Sequence, residues 1–317
     1  MGRVVRVTLD QNPARTARMM WTLFEPLHAV TYFAPQARAA FEEVGLHGFW
    51  RGYFGGRAAP LGRVGPAPVF AAFYGFARPM VERALPSLWE LADPQQALDA
   101  RAAGARSSLL ALLAEANGNS NANANTETDT EADVSRLAEA AQLCRTAAES
   151  VEVTGRVLAA ANAALPWPED PLDVLWHAAT VLREHRGDGH VAALLVAGLD
   201  GCESLVWRAA VDNDRRLLQP ARGWSDQEWD AAGARLTARG WLHPDGSPTE
   251  VATAAREQIE TTTDVLAAAP WQALGQSGVT RLTELLRPLA DAATRALPFP
   301  NPIGLGSGAN ALDPTGN

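Results

Sequence analysis

The sequence predicts an all-α protein in two helical parts, and three observations carry that prediction. Alanine, a strong helix former that lets helices approach closely, recurs in nearly every apolar stretch. No window alternates apolar and polar residues for long enough to argue for a sheet. Proline and glycine fall at the starts and stops of the apolar stretches, where helices begin and end. The 317 residues are comfortable for two domains, and 47% apolar against 20% charged residues supply a sizeable core.

In chain order, Pro13 opens a helix through Trp21 and Phe24, and Pro35 opens another through Phe41 and Val44 that Gly45 stops. Gly52, Gly55, Gly56 and Gly62 read as a Gly-rich turn leading to helices over 67–84 and 94–114. The tract 117–133, NGNSNANANTETDTEAD, holds no aromatic or branched aliphatic side chain and reads as a flexible acidic linker. It divides an N-terminal helical domain, 13–116, from a C-terminal one, 134–317. The charge divides there too: net +3 up to residue 116 and −12 after it, so the two parts should attract each other.

Beyond the linker, 134–165 reads as one long helix ended by Leu165-Pro166-Trp167-Pro168. A second covers 171–184 and breaks at Gly187 and Gly189, and a third covers 190–213. With gaps, 34–57 can be laid beside 153–186, as in a pseudo-repeated pair around a shared cleft. Ser225 and Glu228 form a capping box that starts a helix ending at Gly240. A short strand, an Asp245-Gly246 turn and a return follow, then a helix over 250–266. This is the pattern of a winged helix-turn-helix, placed within 190–266. From Ser225 to Gly240, however, Asp226, Glu228 and Asp230 outnumber Arg235 and Arg239, and the wing carries Asp245 and no arginine. Such a surface repels a duplex. The Pro-rich tail 297–305 reads as an extended strap over the body of the protein.

Composition excludes several classes of function. A net charge of −9 counts against nucleic acid or an anionic membrane as the main partner. All 27 basic residues are arginine, which removes Schiff-base, pyridoxal-phosphate and P-loop lysine chemistry. Cys144 and Cys202 cannot make a Cys₄ zinc site or a disulfide framework. The polar first eleven residues are not a signal peptide, and no stretch reaches the roughly 18 apolar residues of a membrane span, so a cytoplasmic protein is expected.

Chemistry concentrates in three places. Arg183-Glu184-His185-Arg186-Gly187-Asp188-Gly189-His190 places two imidazoles, two carboxylates and two guanidiniums between expected helices. His185, His190 or Asp188 would move a proton, and Arg186 would clamp an anion. Capping by Asp188 and helix-end roles for Arg183 and His185 explain some of these residues, not all six. Around the Gly-rich bend, Trp50, Arg51, Tyr53, Phe54 and Arg57 combine aromatic faces with guanidiniums, which suits an organic anion. Finally, Glu25, His28 and Tyr32 share one helical face. Glu-x-x-His is half of a di-iron carboxylate site, but no second copy exists, so no metal is expected. His47, His177 and His243 stand alone, and no cofactor motif is present.

The runs EPLHAVTYF (25–33), GFWRGYF (48–54), RAAPLG (57–62), REHRGDGH (183–190) and PFPNPIGL (298–305) resemble a largely uncharacterised actinobacterial family of helical proteins with a degenerate MarR-like winged segment. The resemblance covers nearly the whole chain and implies a fold, not a reaction. The expected function is a small-molecule-binding protein or metal-independent enzyme, free of cofactors. It would act on an anionic or polar organic substrate in an inter-domain cleft, by elimination, cyclisation or hydrolysis in natural-product biosynthesis. Arg186, Arg51 and Arg57 would hold the anion, with Trp50, Tyr53, His28 and Tyr32 shaping the pocket. The alternatives are a MarR-like, ligand-responsive DNA-binding regulator and a non-catalytic subunit of a homo- or heterodimer.

Overall fold

The computed structural model describes residues 12–120, 127–298 and 301. Its helices are α1 (Pro13–Phe33), α2 (Pro35–Glu43), α3 (Phe49–Ala58), α4 (Pro66–Phe73), α5 (Arg78–Ala84), α6 (Pro94–Ser120) and α7 (Glu127–Glu149). They continue with α8 (Val157–Ala163), α9 (Pro171–Val196), α10 (Gly201–Val211), α11 (Arg215–Arg222), α12 (Asp226–Ala238), α13 (Glu250–Leu266) and α14 (Ala269–Ala296). The protein is all-α: among the described residues the one β feature is an isolated antiparallel bridge between Leu242 and Pro248. No single described helix is long and apolar enough to cross a membrane.

Local chemistry sets the helix starts. The Asn12 side chain accepts the N–H groups of Ala14 and Arg15, and proline occupies the first turn of α1. Gly45, at φ +87°, provides the left-handed residue that ends α2. The Ser225–Glu228 capping box forms as expected at α12, and Asp200 with Glu203 makes another at α10.

Several expected breaks fall elsewhere. Gly52, Gly55 and Gly56 lie inside α3, not in a turn. A Cβ at Gly52 or Gly56 would meet the Phe41 ring at 2.9 or 2.5 Å, so these glycines admit an aromatic ring against the helix. Gly187 and Gly189 likewise sit within an unbroken α9, and a Cβ at Gly189 would lie 2.8 Å from the Arg156 guanidinium and 3.3 Å from Leu266. The helix expected over 67–84 is interrupted at Tyr74, whose φ is +52°. That expected over 134–165 divides into α7 and α8, because Val151, Val153 and Thr154 disfavour helix and Gly155 adopts φ +75°. Helical backbone occupies 117–120 and 127–133 of the tract read as a linker, while 121–126 lie outside the described residues. The stretches 34–57 and 153–186 adopt different structures: two short helices in one, a short helix and most of a long one in the other. Of the Pro-rich tail 297–305, only 297, 298 and 301 are among the described residues; Asn301 is buried and donates to the Pro298 carbonyl. Helix α14 bends at Gly275 and packs along α1.

The largest core joins helices from both sides of 117–133. Met20, Phe24 and Leu27 of α1 meet Leu109 of α6, Cys144 of α7, Leu175 of α9 and Leu282 of α14. A second cluster gathers α2–α5 around Phe41, Phe54, Phe73 and Trp89. A third holds the end of α9 to α10–α13 through Trp207, Leu218, Trp229 and Leu236. The hollow that remains between these three cores is the candidate site.

Candidate functional site

A cavity of about 270 Å³ opens between α1, α3, α9, α10 and α13, closed at one end by residues 73–76 and Arg222. Helix α1 contributes Arg18, Trp21, Glu25 and Tyr32, and α3 contributes Trp50, Tyr53 and Arg57. Helix α9 presents Arg183, Arg186, Gly187 and His190, on successive turns of one face. Arg208 comes from α10, and Arg256, Glu260 and Thr263 from α13. Among the described residues the wall therefore holds seven guanidiniums against two carboxylates, with nine aromatic side chains.

Most of these guanidiniums are already neutralised by carboxylates set in or behind the wall. Arg57 grips the buried Glu184 through Nε and Nη2 at 3.0 and 3.1 Å and donates to the Tyr53 hydroxyl at 3.0 Å. Arg183 bridges Glu184, at 2.9 Å, and Glu25, at 3.3 Å. Burial raises the Glu184 pKa, but Arg183 and Arg57 outweigh it and hold the carboxyl far below its ordinary range. On the opposite wall, Arg18 and Arg186 pair with both Glu260 and Asp264, and Arg256 with Glu260 and Asp212. Despite its burial, Glu260 is brought down to about 2 by Arg256, His190, Arg18 and Arg186. Arg208 pairs with Asp212 at 3.3 Å.

Arg222 differs. Its guanidinium lies over the Phe76 ring, 4.6 Å from the centroid, and no carboxylate pairs with it among the described residues. Its hydrogen bond is a long one, 3.4 Å, to the neighbouring Ala221 carbonyl. Burial lowers its pKa, and the charges on Arg57, Arg208 and Arg183 lower it further. This is a cation facing a hollow with its charge uncompensated.

Two imidazoles near the cavity share one mode of support. Thr180 donates its hydroxyl proton to the Trp176 carbonyl at 2.9 Å, which leaves its oxygen to accept from Nδ1 of His28 at 3.0 Å. Thr263 does the same with the Ile259 carbonyl, at 2.8 Å, and accepts from Nδ1 of His190 at 3.0 Å. This pattern favours the tautomer with the proton on Nδ1 in both rings. Nε2 of His28 is occupied by the Tyr32 hydroxyl, which donates to it at 2.8 Å. Nε2 of His190 has no hydrogen-bond partner among the described residues, and the ring lines the cavity. Burial pushes the His28 pKa well below 6.5, with Arg183 adding to the effect; burial likewise brings His190 to about 4, Arg186 adding while Glu260 opposes.

Of the residues singled out from sequence, Arg186, His190, Trp50, Tyr53, Arg57 and Tyr32 come together around this cavity. His28 stands one layer behind, supporting Tyr32. Arg51 is exposed, on the face of α3 turned from the cavity. His185 is buried outside the cavity wall. Asp188 also lies off the wall; its Oδ2 accepts the N–H groups of Leu158 and Ala159, both at 2.9 Å, so it caps α8 and not its own helix. Its carboxyl is pushed up to about 6 by burial, against the pull of those bonds.

Arg18, Trp21, Arg222, Arg256 and Glu260 escaped the sequence reading. A signal existed for two of them: Arg18, Trp21, Glu25, His28 and Tyr32 follow one another at three- and four-residue steps, a polar stripe in an otherwise apolar helix. Among the described residues, no three His, Cys, Asp or Glu side chains converge as a metal site would need. Glu25 instead accepts from the Trp21 indole and pairs with Arg183.

A model of a helix-turn-helix family matches residues 17–300. The chain belongs to that helix-turn-helix family. No curated protein and no solved structure matches it. In this helix-turn-helix protein, α11 and α12 are joined by a tight turn at Gly223, φ +76°, and α12 is followed by a hairpin closed by the Leu242–Pro248 bridge. Apart from Arg222, which faces the cavity, three arginines of this part are spent on internal pairs. Arg215 pairs with Asp226 and Asp230, Arg216 with Asp214, and Arg235 with Asp200 and Glu203. The same part meets the cavity, since the Trp224 indole donates to the Gly75 carbonyl at 2.9 Å and the Ala77 amide to the Arg222 carbonyl at 2.9 Å.

Proposed function

We propose that this helix-turn-helix protein is a small-molecule-binding protein whose cavity takes an anionic organic compound with a flat aromatic or conjugated body. The unpaired Arg222 guanidinium on the Phe76 ring carries the reading. A half-buried cation among like charges gains from an anion, and a guanidinium clamps a carboxylate, sulfonate or phosphate in a planar fork. The aromatic side chains around it supply the apolar contact that fixes such a ligand's body. About 270 Å³ suits a ligand of one or two fused rings.

The second reading is a regulator that binds DNA in response to this ligand, and family membership favours it. The charge on α11 and α12 opposes it, because Arg215, Arg216 and Arg235 are paired with acids and Arg222 faces the cavity, whereas phosphate contact needs free basic side chains on the surface.

Naphthalene-2-sulfonate tests the first reading, with its neutral sulfonamide as control and tryptophan fluorescence as readout. The sulfonate should bind more tightly than the sulfonamide. Arg222→Gln should weaken the sulfonate by about 10- to 100-fold, the range for a charge-assisted hydrogen bond, and leave the sulfonamide unchanged. Equal affinity for the two compounds, or indifference of the sulfonate to Arg222→Gln, would count against the reading. A gel shift with the gene's own upstream DNA at low salt decides the second: a specific complex released by the sulfonate supports the regulator, and its absence removes it.

A further inference from the structure

We propose that the cavity is also a site of proton transfer, in which Nε2 of His190 takes a proton from the bound molecule. The inference rests on the ligand-binding reading above and adds a reaction to it.

Two features of the structure point to His190. The first is tautomer. The Thr263 hydroxyl has one proton, and it lies on the Ile259 carbonyl at 2.8 Å. With its proton there, the oxygen accepts from Nδ1 of His190, 3.0 Å away, an arrangement that favours the proton on Nδ1 and the lone pair on Nε2. The second is direction. His28 carries the same threonine clamp, yet the Tyr32 hydroxyl uses up its Nε2. His190 is held identically with Nε2 left unused among the described residues, on the wall of the cavity. His177 also leaves its Nε2 unpartnered, but against the Trp167 ring and off the cavity wall, whereas that of His190 belongs to a ring lining the cavity.

The charged groups facing the ring come from every helix around it. Arg18 stands on α1, Arg186 on α9 itself, Arg208 on α10, and Arg256 and Glu260 on α13. Burial and these arginines keep the ring neutral, with its lone pair available, while Glu260 favours the imidazolium once it forms. An anion seated on Arg222 offsets the arginines and strengthens the base. The substrate class that fits is an acidic C–H or O–H next to a conjugated system. That bond breaks, its proton passes to Nε2, and the electron pair moves onto an oxygen of the conjugated system. The resulting oxyanion faces a wall rich in guanidinium. Nothing else need be consumed, because the imidazolium returns the proton to product or solvent.

The test uses the full-length protein and 5-nitrobenzisoxazole, a flat probe that reports proton abstraction. Loss of its ring C–H proton forms a nitrile and breaks the N–O bond, releasing a coloured phenolate. Wild-type protein should accelerate this release, by roughly the 10²-fold or more typical of a positioned base. His190→Ala should lose at least about tenfold of it and regain rate with added imidazole. His47→Ala, which removes an exposed imidazole, should leave it unchanged. A His190→Ala rate equal to wild type, accelerated or not, overturns the proposal. Nitrogen-15 NMR of histidine-labelled wild-type protein makes the same decision without a variant. A proton on Nδ1 of His190 with Nε2 bare is required, and a proton on Nε2 overturns the proposal. Naphthalene-2-sulfonate binding by His190→Ala separates the two readings: binding kept while the rate stays at the wild-type level sinks the proton transfer alone.

Discussion

Asp188 shows how one side chain can mislead when read from its neighbours in sequence. Set among His185, Arg186 and His190, it looks like a proton carrier; in space it belongs to the start of α8, thirty residues upstream, where Oδ2 accepts two backbone N–H groups. Sequence proximity identifies residues that share a helix, whereas a cap is defined by what the side chain reaches. Asp188→Ala should therefore lower stability by about 1 kcal/mol, the usual cost of a lost cap, seen as a lower urea midpoint. Asp188→Asn keeps an acceptor oxygen and should recover most of that loss. Naphthalene-2-sulfonate affinity should be the same in all three proteins. A folded Asp188→Ala protein that no longer binds the sulfonate would return Asp188 to the cavity. Arg51 misled by a similar route: it shares a cluster of sequence with Trp50, Tyr53 and Arg57, but a helix sends adjacent residues to different faces, and only the other three reach the hollow.

At the scale of elements, helix starts were legible and glycine was not. Pro13 and Pro35 open α1 and α2, and the Ser225–Glu228 box opens α12, because capping chemistry is local to four residues. A glycine has two opposite uses, permitting a turn or permitting close approach inside a helix, and the partner that decides between them is far away in sequence. Gly45 turns the chain; Gly56 admits Phe41. The difference predicts opposite effects for one kind of substitution. Gly56→Ala would place a methyl 2.5 Å from Cζ of Phe41 and should destabilise by about 1–3 kcal/mol, the range for overpacking a core. At Gly187 the nearest atom to a new Cβ is Oε2 of Glu184 at 3.7 Å, an ordinary contact, and the residue lies in the interior of α9. Gly187→Ala should stabilise by up to about 1 kcal/mol through the helix propensity it restores. Thermal melts of the two variants should move in opposite directions from wild type. A gain for Gly56→Ala would mean that Phe41 does not press on α3.

At the scale of the whole molecule, the charge difference between the two parts of the sequence has a physical outcome. Arg18 and Arg57 from the basic part meet Glu184, Glu260 and Asp264 from the acidic part, and these pairs line or support the cavity. The site was thus half legible: the sequence supplied the surplus of guanidinium and the histidines, while the choice of which ones face a common hollow came from the packing of α1, α9 and α13. The same packing buries imidazoles without charging them. Burial pushes His177, His185 and His190 down to about 4 and His28 well below its ordinary value, with nearby arginines adding to the effect in each case. Unfolded, these rings titrate near 6.5, so between about pH 6.5 and 4 the unfolded chain binds more protons than the folded one. Stability must then fall as pH is lowered through that window. Asp188 works the other way. Its carboxyl, raised to about 6, takes up a proton in the folded protein first and so favours folding between about pH 6 and 4. It is one group against four, and Glu260, held near 2, adds its own loss only below the ordinary carboxylate range. The thermal midpoint should therefore drop by several degrees from pH 7 to pH 5 at constant ionic strength. His177→Phe should reduce that drop, since its Nε2 is buried without a hydrogen-bond partner and its ring already packs on Trp167 at 4.6 Å. A midpoint that holds or rises toward pH 5 would mean that these imidazoles are charged in the folded protein, and with them the bare Nε2 that His190 offers to the cavity would be lost.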